Sequence, residues 1–165
     1  MLGGRLNSAA ARQAAIGVAS SGGHLVQLEA LVTMGLHLDY ILSPSALKVD
    51  VQSITIRDCN INQPVNVLRS LISIARVLWR IRPAVVITTG AAPGGIALVV
   101  ARFLGAKTIW IDSIANVNKA SLTGRLVRPF ATTWVSQWEC VAKENKGVYI
   151  GKIFNFFDSR NSASI

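Results

Sequence analysis

The chain has 165 residues, the length of one ordinary domain, which excludes a large multidomain enzyme. With 51% hydrophobic and 15% charged residues it holds material for a sizeable core, which excludes a disordered tail or a solvated scaffold. Seventeen Lys and Arg against eight Asp and Glu give a net charge of +9, so an anionic partner is expected: nucleic acid, acidic lipid or phosphate.

Residues 1–13 are Ala-rich, with Arg5 and Arg12 and no continuous apolar stretch; they read as a flexible N-terminus rather than a secretory signal. The first strand is expected over 14–19, followed by the turn Ser20-Ser21-Gly22-Gly23 and a helix over 24–34. Leu25, Leu28, Leu31 and Val32 fall on one face of that helix. A strand over 38–42 stops at Ser43-Pro44, and 53–56 is a weaker strand candidate. Pro64 suits the first turn of a long helix to about 81, which Pro83 terminates. A buried strand over 84–88 leads through a glycine-rich turn, 90–95, to a helix over 95–104. Then come a strand over 107–111, a helix over 122–131, a strand over 133–136, a short helix over 138–145 and a last strand over 148–150. Residues 152–165 read as a C-terminal tail.

Strands alternating with helices at this spacing predict an α/β fold, a Rossmann-like parallel sheet with helices on both faces, in a single domain over 14–151. In such sheets ligands collect at the carboxyl ends of the strands, where both glycine turns lie.

Four features carry possible chemistry. Ser20 to Gly23 joins a strand to a helix start, where backbone N–H groups and the helix dipole favour an anion, and His24 faces the same ligand. The alternative is a tight turn with Ser20 or Ser21 as a helix cap. Thr88-Thr89-Gly90-Ala91-Ala92-Pro93-Gly94-Gly95 repeats the device. Neither turn is the dinucleotide fingerprint GxGxxG or a Walker loop, so a nicotinamide or ATP site is poorly supported. Asp112, the single acid among nine bases between Cys59 and Arg128, reads either as a general base or hydroxyl acceptor, or as a carboxylate that caps a turn or pairs with Arg125 or Arg128. Arg69, Ser73, Arg76 and Arg80 form one stripe on the long helix beside a wide apolar surface that includes Trp79. That helix suits either a membrane surface or burial with a solvated arginine edge.

No apolar segment approaches the roughly 20 residues of a membrane span. Two cysteines in unlike contexts suggest neither a disulfide framework nor a zinc site, so no metal is expected. Nucleic-acid signatures are missing too, and a nucleic-acid-binding module or a nucleotide-dependent Rossmann enzyme remain the rival readings.

In order along the chain, Ser20-Ser-Gly-Gly-His-Leu, Thr88-Thr-Gly-Ala-Ala-Pro-Gly, Trp110-Ile-Asp-Ser-Ile-Ala-Asn and Ser121-Leu-Thr-Gly-Arg resemble one family from about Ala14 to Gly151. It is the membrane-side subunit of the two-component N-acetylglucosamine transferase of lipid-linked oligosaccharide assembly, in its bacterial polysaccharide form. That family is similar to the N-terminal half of MurG-like GT-B glycosyltransferases. The resemblance implies that Ser21, Gly22, Gly23 and His24 in the first loop, and Thr89, Gly90, Ala91 and Pro93 in the second, face the diphosphate of a polyprenyl-linked acceptor. His24 and Asp112 become the candidate bases for an inverting, metal-independent transfer. No cofactor is implied beyond a UDP-sugar co-substrate, held mainly by a separate donor-binding subunit. Arg69, Arg76, Trp79 and Arg80 become the membrane-facing residues of a protein peripheral on the cytoplasmic face of the plasma membrane. Ala91-Ala92 departs from the usual loop, where MurG-like proteins have another glycine and a larger residue.

Overall fold

The computed structural model describes residues 14–59 and 62–154. Seven strands form one sheet: β1 (Ala15–Val18), β2 (Tyr40–Ser43), β3 (Gln52–Thr55), β4 (Val85–Thr88), β5 (Lys107–Ile111), β6 (Thr133–Ser136) and β7 (Val148–Tyr149). Their order is β3-β2-β1-β4-β5-β6-β7, and every adjacent pair is parallel. Among the described residues five α-helices connect them: α1 (Gly23–Thr33), α2 (Pro64–Ile81), α3 (Ala91–Phe103), α4 (Leu122–Val127) and α5 (Glu139–Glu144).

The alternation of the strands decides how the faces are covered. Ile16, Val18 and Val86 point to one face, where Ile74, Leu78 and Ile81 of α2 and Ala97 and Ala101 of α3 cover them. Trp110 and Trp134 continue that face in register and pack with Leu98, Val127 of α4 and Val141 of α5. Ile41, Ile87, Ile111 and Val135 point the other way, onto Leu25 and Leu28 of α1. Central strands apolar on both sides are what a doubly covered parallel sheet requires. The placement also follows from chain direction. From β1 the chain steps outward to β2 and β3, then returns through α2 and proceeds from β4 to β7. Crossovers of one hand therefore put α1 on one face and α2 to α5 on the other.

Three expectations shift. The helix expected from Gly95 begins at Ala91, because Pro93 at its third position lacks only an N–H that has no intrahelical partner there. The helix expected to Ala131 ends at Val127 and tightens into a 3₁₀ turn, Arg128–Phe130, since Pro129 offers no N–H to continue the ladder. The domain also runs past Gly151: Ile153 is 2% exposed in the core on the α1 side, and its N–H donates to Gln137 Oε1 at 3.0 Å. The expected N-terminal segment 1–13 and the tail beyond Phe154 lie outside the described residues.

Candidate functional site

Both glycine turns open at one point. β1 and β4 are neighbours, with Val18 beside Thr88, and the helices that follow them leave on opposite faces of the sheet. This is the topological switch point, where parallel sheets leave a crevice beyond the strand ends. At the first turn Gly22 has φ +77°, and α1 starts with no side-chain cap and no acidic residue in its first turn. At the second, Gly90 has φ +129° and α3 likewise lacks a cap and an acid. The serine-cap reading of the first turn is therefore not realised: Ser20 Oγ turns to Ser21 O and Ser21 Oγ to Asp58. Neither helix start is capped by its own N-cap residue or carries an acid in its first turn; Gly90 N donates to Thr88 Oγ1 at 3.1 Å, and the other leading N–H groups of the two helices face the dipole ends without such a cap.

The two loops are tied to each other by reciprocal bonds. His24 Nδ1 lies 2.8 Å from Thr89 O, and Thr89 Oγ1 donates to His24 O at 2.7 Å. A carbonyl only accepts, so Nδ1 carries a proton and is the donor, and Nε2 is the ring nitrogen left for another partner. Nε2 has no partner among the described residues. The contact is close enough to dictate the residue at position 90: a Cβ on Gly90 would lie 2.6 Å from His24 Cε1. Gly90 is thus required both for its backbone angle and for the room it leaves the imidazole. Ala91 also sits at positive φ, +63°, where an L-residue costs about 1–2 kcal/mol relative to the right-handed region.

Asp112 follows β5 and is completely buried. Its Oδ1 accepts from Trp110 Nε1 at 3.1 Å and Ser121 Oγ at 2.7 Å; its Oδ2 accepts from Asn116 Nδ2 at 3.0 Å and Ser121 N at 3.3 Å. Ser121 Oγ in turn accepts from Gly124 N and caps α4. These bonds hold the 113–121 loop against the start of α4, in line with the capping alternative; the ion pair with Arg125 or Arg128 does not form. Among the described residues the one ion pair is Lys143 with Glu139. Asp112→Asn puts an NH₂ where an oxygen accepted two donors, so it is expected to destabilise the fold by about 3 kcal/mol or more. Urea unfolding checks this.

A polar cleft of about 560 Å³ opens beside the loops, lined by Ser20, Ser21, Asp58, Cys59, Gln63, Ala91, Ala92 and Thr123. It brings Ser21 and Ala91 together. Thr89 is buried with its hydroxyl spent on His24, and Pro93 is buried inside the first turn of α3. Asp58 and Gln63 were not singled out in the sequence, and Thr123 only as part of the motif Ser121-Leu-Thr-Gly-Arg. They come from the β3–α2 link and the start of α4, and nothing local shows that these segments meet the glycine turns. Cys59 on the same wall is partly buried, and burial pushes its thiol up from the usual range, against a hydrogen bond with Ser70.

An apolar groove of about 260 Å³ adjoins the cleft and shares Ala92 and Thr123 with it. Val67 and Leu71 of α2, Ile96 and Val99 of α3, and Leu126 and Val127 of α4 form its walls. Beyond it the protein surface is unusually apolar. Leu68, Ile72 and Trp79 on α2 are exposed, as are Leu122 and Leu126 on α4, and Trp79 is 63% exposed. Arg69, Arg76 and Arg80 flank this ridge, exposed and without carboxylate partners among the described residues. Arg82 stacks on the Trp79 ring at 4.4 Å. The α4 leucines extend the ridge that the sequence placed on α2 alone. None of the described helices is long and apolar enough to cross a membrane.

Comparison with known proteins gives a consistent family. Residues 44–153 match the model for "Oligosaccharide biosynthesis protein Alg14 like". The chain is 36% identical over 69 residues to "UDP-N-acetylglucosamine transferase subunit ALG14" of Candida albicans, covering 38% of this chain and 32% of that protein. Among solved structures, Acinetobacter baumannii MurG is similar with a TM-score of 0.60 at 15% identity, over 78% of this chain and 43% of that one. The UDP-GlcNAc 2-epimerase of Methanocaldococcus jannaschii is similar with a TM-score of 0.56 at 14% identity, over 79% of this chain and 41% of that one. The chain thus spans less than half the length of each of these relatives. The structural likenesses establish the fold, a Rossmann-like domain of the kind that forms the N-terminal half of GT-B glycosyltransferases.

Proposed function

Because this chain belongs to the family of Alg14-like oligosaccharide biosynthesis proteins, we propose that it is the acceptor-binding half of a glycosyltransferase and acts on a polyprenyl-diphosphate-linked saccharide. The observation that carries the reading is the His24–Thr89 clasp. It fixes two uncapped helix starts, from adjacent strands, at the mouth of one polar cleft. That arrangement suits a diphosphate, which needs several N–H donors and two positive dipole ends at once. The acceptor's isoprenoid chain leaves the cleft along the adjoining apolar groove, toward the ridge of α2 and α4.

His24 is the base in this reading. The acceptor hydroxyl attacks the anomeric carbon of a UDP-sugar and passes its proton to Nε2 as the new glycosidic bond forms. UDP departs from the opposite side, so configuration inverts. Asp112, sealed and already accepting four bonds, holds the loop instead. The relative's designation as a transferase subunit supports a separate donor-binding chain that holds the UDP-sugar. The test is transfer from UDP-N-acetylglucosamine to a polyprenyl-diphosphate saccharide: product is expected when the donor-binding chain is added and absent without it. Transfer by this chain alone overturns the division of labour.

In this reading the protein lies peripherally on an anionic membrane, on the cytoplasmic face, which the exposed ridge with its flanking arginines supports. Each basic residue near such a surface contributes about 1 kcal/mol. Charge reversal at Arg76 and Arg80 together is therefore expected to weaken sedimentation with phosphatidylglycerol vesicles by about tenfold or more, with the wild-type interaction falling as salt rises. Unaltered, salt-insensitive pelleting removes this surface from the account.

A further inference from the structure

The cleft contains one group that a site for phosphate alone should avoid. Asp58, just beyond β3, is exposed on the cleft wall and carries a fixed carboxylate: Oδ2 accepts from Ser21 Oγ at 2.8 Å and Oδ1 from its neighbour Cys59 N at 2.9 Å. In a chain of net charge +9 it forms no ion pair among the described residues. A carboxylate set in this way repels a diphosphate lying in the same cleft. Each of its oxygens nonetheless keeps a lone pair for a further donor, and the nearby Gln63 and Thr123 add an amide and a hydroxyl. The cleft therefore offers two kinds of group. Ser20, Ala91 and Ala92, next to the helix starts, suit the anion, whereas the side chains of Asp58, Gln63 and Thr123 in the same cleft suit neutral hydroxyls.

We propose that Asp58, oriented by Ser21, is the specificity-determining residue for the acceptor, accepting hydrogen bonds from hydroxyls of the sugar attached to the lipid diphosphate. The inference rests on the acceptor-binding reading above and adds to it where the sugar lies and what selects it. Hydrogen bonds from hydroxyls to a charged carboxylate are the stronger kind, whereas loss of the charge relieves repulsion of the diphosphate. Discrimination between sugar-bearing and bare lipid diphosphate thus depends on this one side chain.

The experiment is equilibrium binding of the full chain in detergent to a short-chain polyprenyl diphosphate carrying no sugar, glucose, galactose or N-acetylglucosamine. Wild type is expected to bind at least one sugar-bearing form more tightly than the bare form. Asp58→Asn, nearly isosteric and exposed, is expected to weaken that preferred form by about ten- to a hundredfold. The bare diphosphate is expected to bind Asp58→Asn as well as wild type or better, with the melting temperature unchanged. Ser21→Ala, which frees the carboxylate to turn, is expected to lose part of the same preference. If Asp58→Asn binds all forms equally tightly or more tightly, Asp58 only repels anions and the inference is wrong. Unchanged affinities overturn it as well. A wild type that binds sugar-bearing and bare forms alike overturns the inference and leaves the acceptor reading standing, whereas a wild type that binds none overturns both.

Discussion

Asparagine in place of His24 is expected to lower turnover by about two to four powers of ten while acceptor affinity stays within about twofold. The choice of asparagine follows from the geometry. Its side-chain amide reaches the position of Nδ1 and can keep donating to Thr89 O, and the Thr89 hydroxyl bonds to a backbone carbonyl that the change leaves alone. The outer edge of the ring, Cε1 and the proton-accepting Nε2, is lost while the donor to Thr89 O is kept. Loss of kcat without a change in KM for the acceptor therefore separates a proton acceptor from a structural clasp. The assay needs the donor-binding chain present. If turnover is kept, the imidazole only joins the loops and the base lies elsewhere, on the acceptor or the partner. If affinity falls with turnover, the clasp has been lost and the diphosphate site with it.

The second large effect is expected at Gly90. Alanine there must adopt φ near +129°, outside the ranges that L-residues occupy comfortably, and its Cβ would overlap the His24 ring. The two penalties together are expected to destabilise the fold by about 2–4 kcal/mol. For a domain of this size that is a fall of roughly 5–15 °C in Tm, read by calorimetry or circular dichroism. Because the imidazole must move, Gly90→Ala is also expected to lose acceptor binding at temperatures where it remains folded. A variant with wild-type melting and wild-type binding contradicts the tight packing of the two loops. Comparison with His24→Asn is informative: one change removes the outer ring edge from an intact clasp, and the other forces the clasp apart.

The fold was legible in the sequence because its signals are local. Apolar runs at 14–19, 84–88 and 107–111, glycine turns after the first two, and Pro64 and Pro83 around a long amphipathic helix each report their own element. The glycine loops could also be found, since backbone access at a helix start has a composition signature. Strand order has none. Val18 lies beside Leu42 of the next strand on one side and beside Thr88 on the other; the second adjacency depends on the α2 crossover and is what brings His24 to Thr89 across 65 positions. The start of α3 lies earlier than the sequence suggests because Pro93, inside a glycine-rich stretch, sits harmlessly at the third residue of the helix.

The candidate site was legible to a smaller extent, and for an electrostatic reason. Asp112 stood out as one acid among many bases, which suggested chemistry; in the fold it spends every bond on Trp110, Asn116 and Ser121. Asp58 did not stand out at all, because it follows the weakest strand and its place in the cleft depends on Ser21 coming from the far side of β2. Burial and partners separate these two carboxylates, and neither property is encoded within a few residues of the acid. Gln27 and Gln137 make the same point: 110 positions apart, both buried, they bond to each other and join α1 to the end of β6.

The central claim is that this chain holds the lipid-diphosphate acceptor and leaves the sugar nucleotide to a partner. Its most direct test is a pair of titrations on the purified chain in detergent, one with a polyprenyl-diphosphate saccharide and one with UDP-N-acetylglucosamine. Saturable binding of the lipid-linked saccharide, lost in Gly90→Ala, and no saturable binding of the nucleotide sugar is the result expected. Saturable binding of the UDP-sugar without binding of the lipid diphosphate contradicts the account.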